Sequence, residues 1–333
     1  MITDNMAGYV KIKGAKNIIS QNMLIVITAA MFIFCAAINP NFVDSFTQSS
    51  LMQECAYMTL LAMGMTFVIL TGGIDLSIGS QLGMSTTIVA IVLRDSQLTS
   101  MPLVIISAIA ASLLLCLGIG FANGLGVAFL KLPPIVTTLA MTWIAKGIAE
   151  VASTGPPIRI ATTEFKAFFN YKIGGWVPVT FIFVVVLLIF LSYMLKNRRS
   201  GREFYAVGSN QYAAFISGTN TKKVLIKAYL INALFAGIAG VFVAAVTGSG
   251  TPTFGVNYEL YSIAAVVMGG VLLTGGEGKI YLTFFGAVIL RLLNRVVIFT
   301  GLSSVSGFIE GIIVGSILIL VLFINSRKKG YAD

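Results

Sequence analysis

The chain has 333 residues, 57% apolar and only 10% charged, with a mean hydropathy of +0.94. Soluble domains are about half apolar and about a quarter charged, so a water-soluble fold is excluded: it has too little interior to hide this much apolar surface. Histidine is absent, and the three cysteines (Cys35, Cys55, Cys116) lie in apolar runs, which argues against zinc chemistry and a disulfide framework. The net charge of +10 sits in short segments between apolar runs, as topology determinants do, and not in a nucleic-acid-binding patch.

In chain order, residues 1–19 form a polar tail with Lys11, Lys13 and Lys16. The apolar run 20–38 follows. Cys35-Ala36-Ala37 resembles a cleavage site, but the run is longer than a signal-peptide core, so it reads as an uncleaved first span. A helix needs about 20 mostly apolar residues to cross a bilayer. Further candidates lie at 51–70, 78–93, 103–130, 135–152, 176–195, 225–246, 258–273, 281–299 and 305–324. The predicted fold is therefore all-α, a polytopic membrane bundle of about ten spans forming a single transmembrane unit.

With the N-terminus inside, fifteen basic residues fall in inner segments and four (Arg94, Arg159, Lys166, Lys172) in outer ones. That bias places both termini in the cytoplasm. Segment 153–175 becomes an outer loop, and 196–224 the longest inner one. Within the latter, 210–217 reads as a short helix with Asn210 as N-cap and Gly218 as its stop. Such a helix is either a docking element for a cytoplasmic partner or a plain surface loop.

The run Gly72-Gly73-Ile74-Asp75-Leu76-Ser77-Ile78-Gly79 is the most distinctive. It reads as a capped cytoplasmic turn, with Asp75 and Ser77 capping the next helix, or as a helix break presenting Asp75 to a polar pathway. Residues 62–73 and 265–276 align without gaps and share Leu-Thr-Gly-Gly at their ends, an internal-repeat signal.

Six charges fall inside spans: Glu54, Lys146, Glu150, Arg291, Arg295 and Glu310. Each costs roughly 2.5–3.5 kcal/mol at a helix centre. Lys146 and Glu150 are spaced to pair on one face, and Arg295 and Glu310 are candidates for a cross-helix pair. Small-residue patterns such as Gly237-x-x-Gly240 and Gly311-x-x-x-Gly315 point to close helix packing. There is no P-loop, metal cluster or nucleophile motif, so no cofactor or metal is expected and the chain is not read as an enzyme.

Four blocks carry a family resemblance over most of the chain. They are 62–80 with its Gly-Gly-Ile-Asp-Leu-Ser-Ile-Gly core; Asn123-Gly124 through Pro133-Pro134 to Thr137-Thr138; Gly201-Arg202 through Tyr205, Gly208, Asn210, Ala213-Ala214 to Ser217-Gly218; and Tyr258-Glu259-Leu260 through Gly275-Gly276-x-Gly278. The chain resembles the permease subunits of bacterial ATP-binding-cassette (ABC) importers for monosaccharides, the ribose, xylose, arabinose, galactose and autoinducer-2 group. Tyr261 and Leu282 depart from the family pattern, which puts the choice of sugar in doubt. The resemblance implies a bacterial inner-membrane transport subunit that pairs with a second permease, rests on cytoplasmic ATPases and receives sugar from an extracytoplasmic binding protein. It makes 196–224 the coupling loop, with Gly201, Arg202, Tyr205, Gly208, Asn210, Ala213, Ala214, Ser217 and Gly218 as its signature. Candidate pathway or hinge residues are Gly72, Gly73, Asp75, Ser77, Gly79, Asn123, Thr137, Thr138, Glu259, Gly275 and Gly276. A nucleoside-type permease of a related importer and a self-contained secondary transporter are the alternatives.

Overall fold

The computed structural model describes residues 23–301 and, beyond them, 309, 311–316 and 319. The N-terminal tail, Glu310 and most of the run 305–324 lie outside the described residues. Helix α1 (Met23–Ile38) leads through a 3-10 turn (Pro40–Val43) into α2 (Ser45–Leu70). Then come α3 (Ile78–Asp95), α4 (Met101–Ala128), α5 (Pro134–Ser153), α6 (Thr163–Phe169), α7 (Val179–Asn197), α8 (Arg199–Ser209), α9 (Gln211–Ile216), α10 (Thr221–Thr247), α11 (Tyr258–Met268) and α12 (Ile280–Phe299). Residues 311–316 are again helical.

Six of these (α2, α4, α5, α7, α10 and α12) are long and apolar enough to cross a membrane. Helix α3 is poorer in apolar side chains because it spends its hydroxyls internally. Thr86 donates to the Gly83 and Thr251 carbonyls and Ser85 to that of Gly237. A helix apolar on every face belongs in the middle of a bundle, and α2 is nearly all buried there. It packs against α10, which also covers α3 and α4. Close approach needs small residues: a Cβ at Gly64 would meet the Asn232 side chain and backbone, and one at Gly240 would meet Ser85. Helices α4, α5 and α7 turn most of their apolar surface outward, as lipid-facing helices can.

At one end of the bundle, segment 153–175 is a folded cap. Strand β1 (Ile158–Arg159) pairs antiparallel with β4 (Ser249–Gly250), and β2 (Lys172–Ile173) with β3 (Val177–Pro178). Asn170 ties the cap down, donating to the Ala245 carbonyl and accepting from Gln53. Helices α8 and α9 lie at the opposite end.

The span expected at 258–273 is built differently. Its helix, α11, has only eleven residues, and the chain before it, from Thr251 to Asn257, is non-helical yet folded in along α3. The stretch between α10 and α12 is therefore part successive turns and part helix.

Candidate functional site

Helix α2 ends at Leu70, and the chain reverses through Thr71-Gly72-Gly73, with Gly72 at φ +79°. The second copy of Leu-Thr-Gly-Gly ends in Gly275 and Gly276, at φ +83° and +78°. These backbones need glycine because a side chain is disfavoured at such angles. The structure joins the two repeats: the Gly276 N–H donates to the Leu70 carbonyl at 3.0 Å. Gly275 backs onto Gly72 so closely that a Cβ there would stand 2.8 Å from the Gly72 nitrogen.

Helix α8 closes over this junction. A Cβ at Gly208 would overlap the Leu70 carbonyl oxygen and the Gly276 nitrogen, and one at Gly276 would strike Ser209. Tyr205 donates to the Gly278 carbonyl at 3.0 Å, and burial raises its phenol above the ordinary tyrosine value, which keeps the proton on. Phe204 packs edge-to-face on Phe67 of α2. Gly201 is packed tight against the Met194 and Leu195 backbone, while Arg202 is exposed and reaches the Asn197 carbonyl. One short helix thus touches both repeat turns.

Helix α9 lies where 210–217 is expected. The Asn210 side chain accepts from Ala213 N–H at 2.9 Å, and Gly218 ends the helix at φ +82°. Its exposed face is Tyr212, Phe215 and Ile216, each about two-thirds or more exposed. Ala213 is exposed, but Ala214 is buried against the protein and cannot serve as contact surface. Sequence reasoning selects the two alanines and misses the aromatic residues because a six-residue helix gives too few positions to read its outward face. Tyr212 and Phe215 also line an open cleft with Thr71, Gly72, Lys131 and Lys222.

From Gly73 the chain runs into the bundle. Helix α10 has 27 residues, and Asn232 sits about 16 Å from its α9-proximal end at 1.5 Å per residue. Asn232 donates to Asp75 at 2.8 Å, so the carboxylate is held at that depth. Its other oxygen accepts from the Ser77 N–H at 2.8 Å and the Ser77 hydroxyl at 2.5 Å. Ser77 in turn accepts from Gln81 at 2.8 Å and Asn123 at 2.9 Å. Thr138 accepts from the Leu76 N–H at 3.1 Å. The expected caps are corrected here: Ser77 occupies the N-cap of α3 but makes no side-chain capping bond, because its oxygen accepts from the Gln81 and Asn123 amides instead. Gly72 and Gly73 turn at the α8 end, and Ile74 to Ser77 re-enter the bundle.

Among the candidate pathway residues, Asp75, Ser77, Asn123 and Thr138 are all fully buried and hydrogen-bonded in this network, although the Asn123 Oδ1 has no partner among the described residues. Thr137 packs on Gly126. Gly79 faces Gly255 and the Glu259 carboxylate, so α3 and the start of α11 meet there. The two proposed ion pairs fare differently. Lys146 and Glu150 stand 3.7 Å apart on the outer side of α5. Arg295 pairs with Glu54 of α2 at 2.5 Å and with Ser50 at 3.1 Å; Glu310, its expected partner, lies outside the described residues. Arg291 is buried with its guanidinium 5.9 Å from the Tyr258 ring and 5.6 Å from that of Tyr261, an arrangement that favours a cation in a low-dielectric site. No group of metal-ligating side chains occurs among the described residues.

The chain is 33% identical over 322 residues to the ribose import permease protein RbsC of Escherichia coli K12, covering 94% of each. It is 35% identical to RbsC of Bacillus subtilis, over 90% of each, and 30% identical to the autoinducer 2 import system permease protein LsrC of Salmonella typhi, over 90% of this chain and 83% of that one. No solved structure matches. Residues 49–322 match the family described as branched-chain amino acid transport system / permease component, and the chain belongs to that family of inner-membrane transport permeases.

Proposed function

We propose that the chain translocates a monosaccharide across the bacterial inner membrane as the permease of an ABC importer, beside a second permease. Energy comes from separate cytoplasmic ATPases, and sugar from an extracytoplasmic binding protein. The similar proteins named for ribose and autoinducer 2 support the substrate class. The inward bias of basic residues supports a cytoplasmic position for α8, α9 and both termini, and an outward position for the 153–175 cap where the binding protein docks.

The observation that carries the reading is the seat of α8 on both Leu-Thr-Gly-Gly turns, with α9 offering Tyr212, Phe215 and Ile216 outward. An ATPase gripping α9 moves α8. Because Gly208 leaves no slack against Leu70 and Gly276, that motion passes to both turns and on to α3 and α11. Interfaces this tightly packed shift as units and do not deform continuously.

The test is co-purification from the inner membrane of cells expressing this chain with a cytoplasmic ABC ATPase. A stable complex whose ATPase activity rises with sugar-loaded binding protein supports the reading; a permease that transports while remaining free of any ATPase contradicts it. The family description supports a second reading, a branched-chain amino acid as substrate. Competition of uptake by D-ribose and by L-leucine separates the two.

A further inference from the structure

We propose that the non-helical segment 251–257 lines a water-filled sugar path at the middle of the bilayer, with Thr253 and Asn257 as side chains that contact the sugar. This rests on the importer reading above.

The depth is set by α3. The Thr86 hydroxyl donates to the Thr251 carbonyl at 3.1 Å. A Cβ at Gly83 would stand 2.6 Å from the Pro252 carbonyl oxygen, and Gly255 meets Gly79. The segment therefore runs antiparallel to α3, from the level of Thr86 to that of Gly79. Gly79 is 16 residues from the end of α3 at Asp95, about 24 Å at 1.5 Å per residue. Past Asn257, the eleven residues of α11 supply about 16 Å more toward the other face. Asn257 thus sits well inside the hydrocarbon zone, near its middle.

Thr253, Val256 and Asn257 are exposed, Val256 by 58%, and Leu260 one turn on by 45%. Irregular backbone exposed to lipid is not tolerated at this depth, because its N–H and C=O groups have no water to bond; it occurs only against protein or along a water-filled cavity. The side chains decide between these two. Asn257 stands at φ +69° as the N-cap of α11, yet its amide makes no capping bond to the helix. It keeps both donor and acceptor capacity, as the Thr253 hydroxyl does in part, being 3.0 Å from the Thr251 hydroxyl. Leaving such groups unpaired in a dry contact costs free energy, whereas a path for a polyol uses them. Neutral donor–acceptor groups bind hydroxyls in either sense without holding them tightly, which a path requires.

The experiment uses the complete transporter, with Cys35, Cys55 and Cys116, all buried, replaced by alanine. Single cysteines are placed at Asn257, at Thr253 and at Val186, an exposed apolar position on α7. Uptake of D-ribose, D-xylose or D-galactose by the cysteine-free parent is measured first, and its absence counts against the importer reading alone. A charged methanethiosulfonate is then applied to vesicles during ATP turnover. The proposal expects N257C and T253C to react at least tenfold faster than V186C, and the accumulated sugar to slow both. Rates equal to that of V186C overturn it, as does oxidative N257C–N257C cross-linking without reaction with the charged reagent, which marks a dry contact between copies. Fast reaction without protection by a sugar that the parent accumulates also overturns it. If N257C fails to assemble, T253C is read by the same criteria.

Discussion

Asn232 of α10 reaches across to Asp75, 157 positions earlier in the chain, and donates to its carboxylate at 2.8 Å inside the bundle. The bond fixes the re-entrant segment after Gly73 to α10, the helix that follows α9. Asn232→Ala leaves one carboxylate oxygen buried without its donor, at a cost of about 2–3 kcal/mol. Asp75→Ala strands the Asn232 amide, the Ser77 N–H and the Ser77 hydroxyl together and costs more. Thermal unfolding of the purified permease in detergent measures both, and a melting temperature unchanged in either variant contradicts this role for the pair.

Gly208 has no room for a side chain between the Leu70 carbonyl and the Gly276 N–H. Gly208→Val pushes α8 off the two turns. Membrane insertion should persist while uptake falls at least tenfold and ATP hydrolysis no longer responds to sugar. ATP hydrolysis and uptake assayed in the same vesicles check this, and normal coupling rules the junction out as the transmission point.

Phe215 and Ala214 are neighbours with opposite environments, one 65% exposed and the other 5%. Phe215→Glu should abolish ATPase co-purification with no change in the permease's own melting temperature. Ala214→Glu buries a charge and should lower that temperature. Identical behaviour of the two variants refutes the assignment of the docking face.

The Arg295–Glu54 pair joins α12 to α2 with little solvent around it. Arg295→Glu alone leaves two carboxylates together, a loss of about 3–5 kcal/mol for a pair broken inside the protein. The exchanged double variant Glu54→Arg/Arg295→Glu should recover most of the folded yield, read by size-exclusion of the detergent extract. No recovery shows that Arg295 is held by other groups.

Most of the bundle is legible in the sequence because apolar length and charge placement report directly on a bilayer. The runs at 51–70, 78–93 and 281–299 coincide with α2, α3 and α12 to within a few residues at most ends. The repeat at Gly72-Gly73 and Gly275-Gly276 is visible as a pattern, but its meaning is a contact between distant segments that no local rule supplies. The segment 251–257 fails for a related reason. Gly250, Pro252 and Gly255 disfavour a helix, yet only the fit of Gly79 and Gly83 against that backbone shows that the break is packed inside the bundle. Tyr212 and Phe215 escape attention because aromatic residues in an apolar chain carry little contrast.

The central claim is ATP-driven sugar import by this permease with partner subunits. Its most direct test is accumulation of radiolabelled D-ribose, D-xylose or D-galactose in proteoliposomes holding the permease, its ATPase and the sugar-loaded binding protein. The account predicts accumulation above the external concentration only with ATP and both partners, and its loss in Phe215→Glu. Accumulation by the permease alone, or an ATP-driven complex that accumulates L-leucine and none of the three sugars, contradicts it.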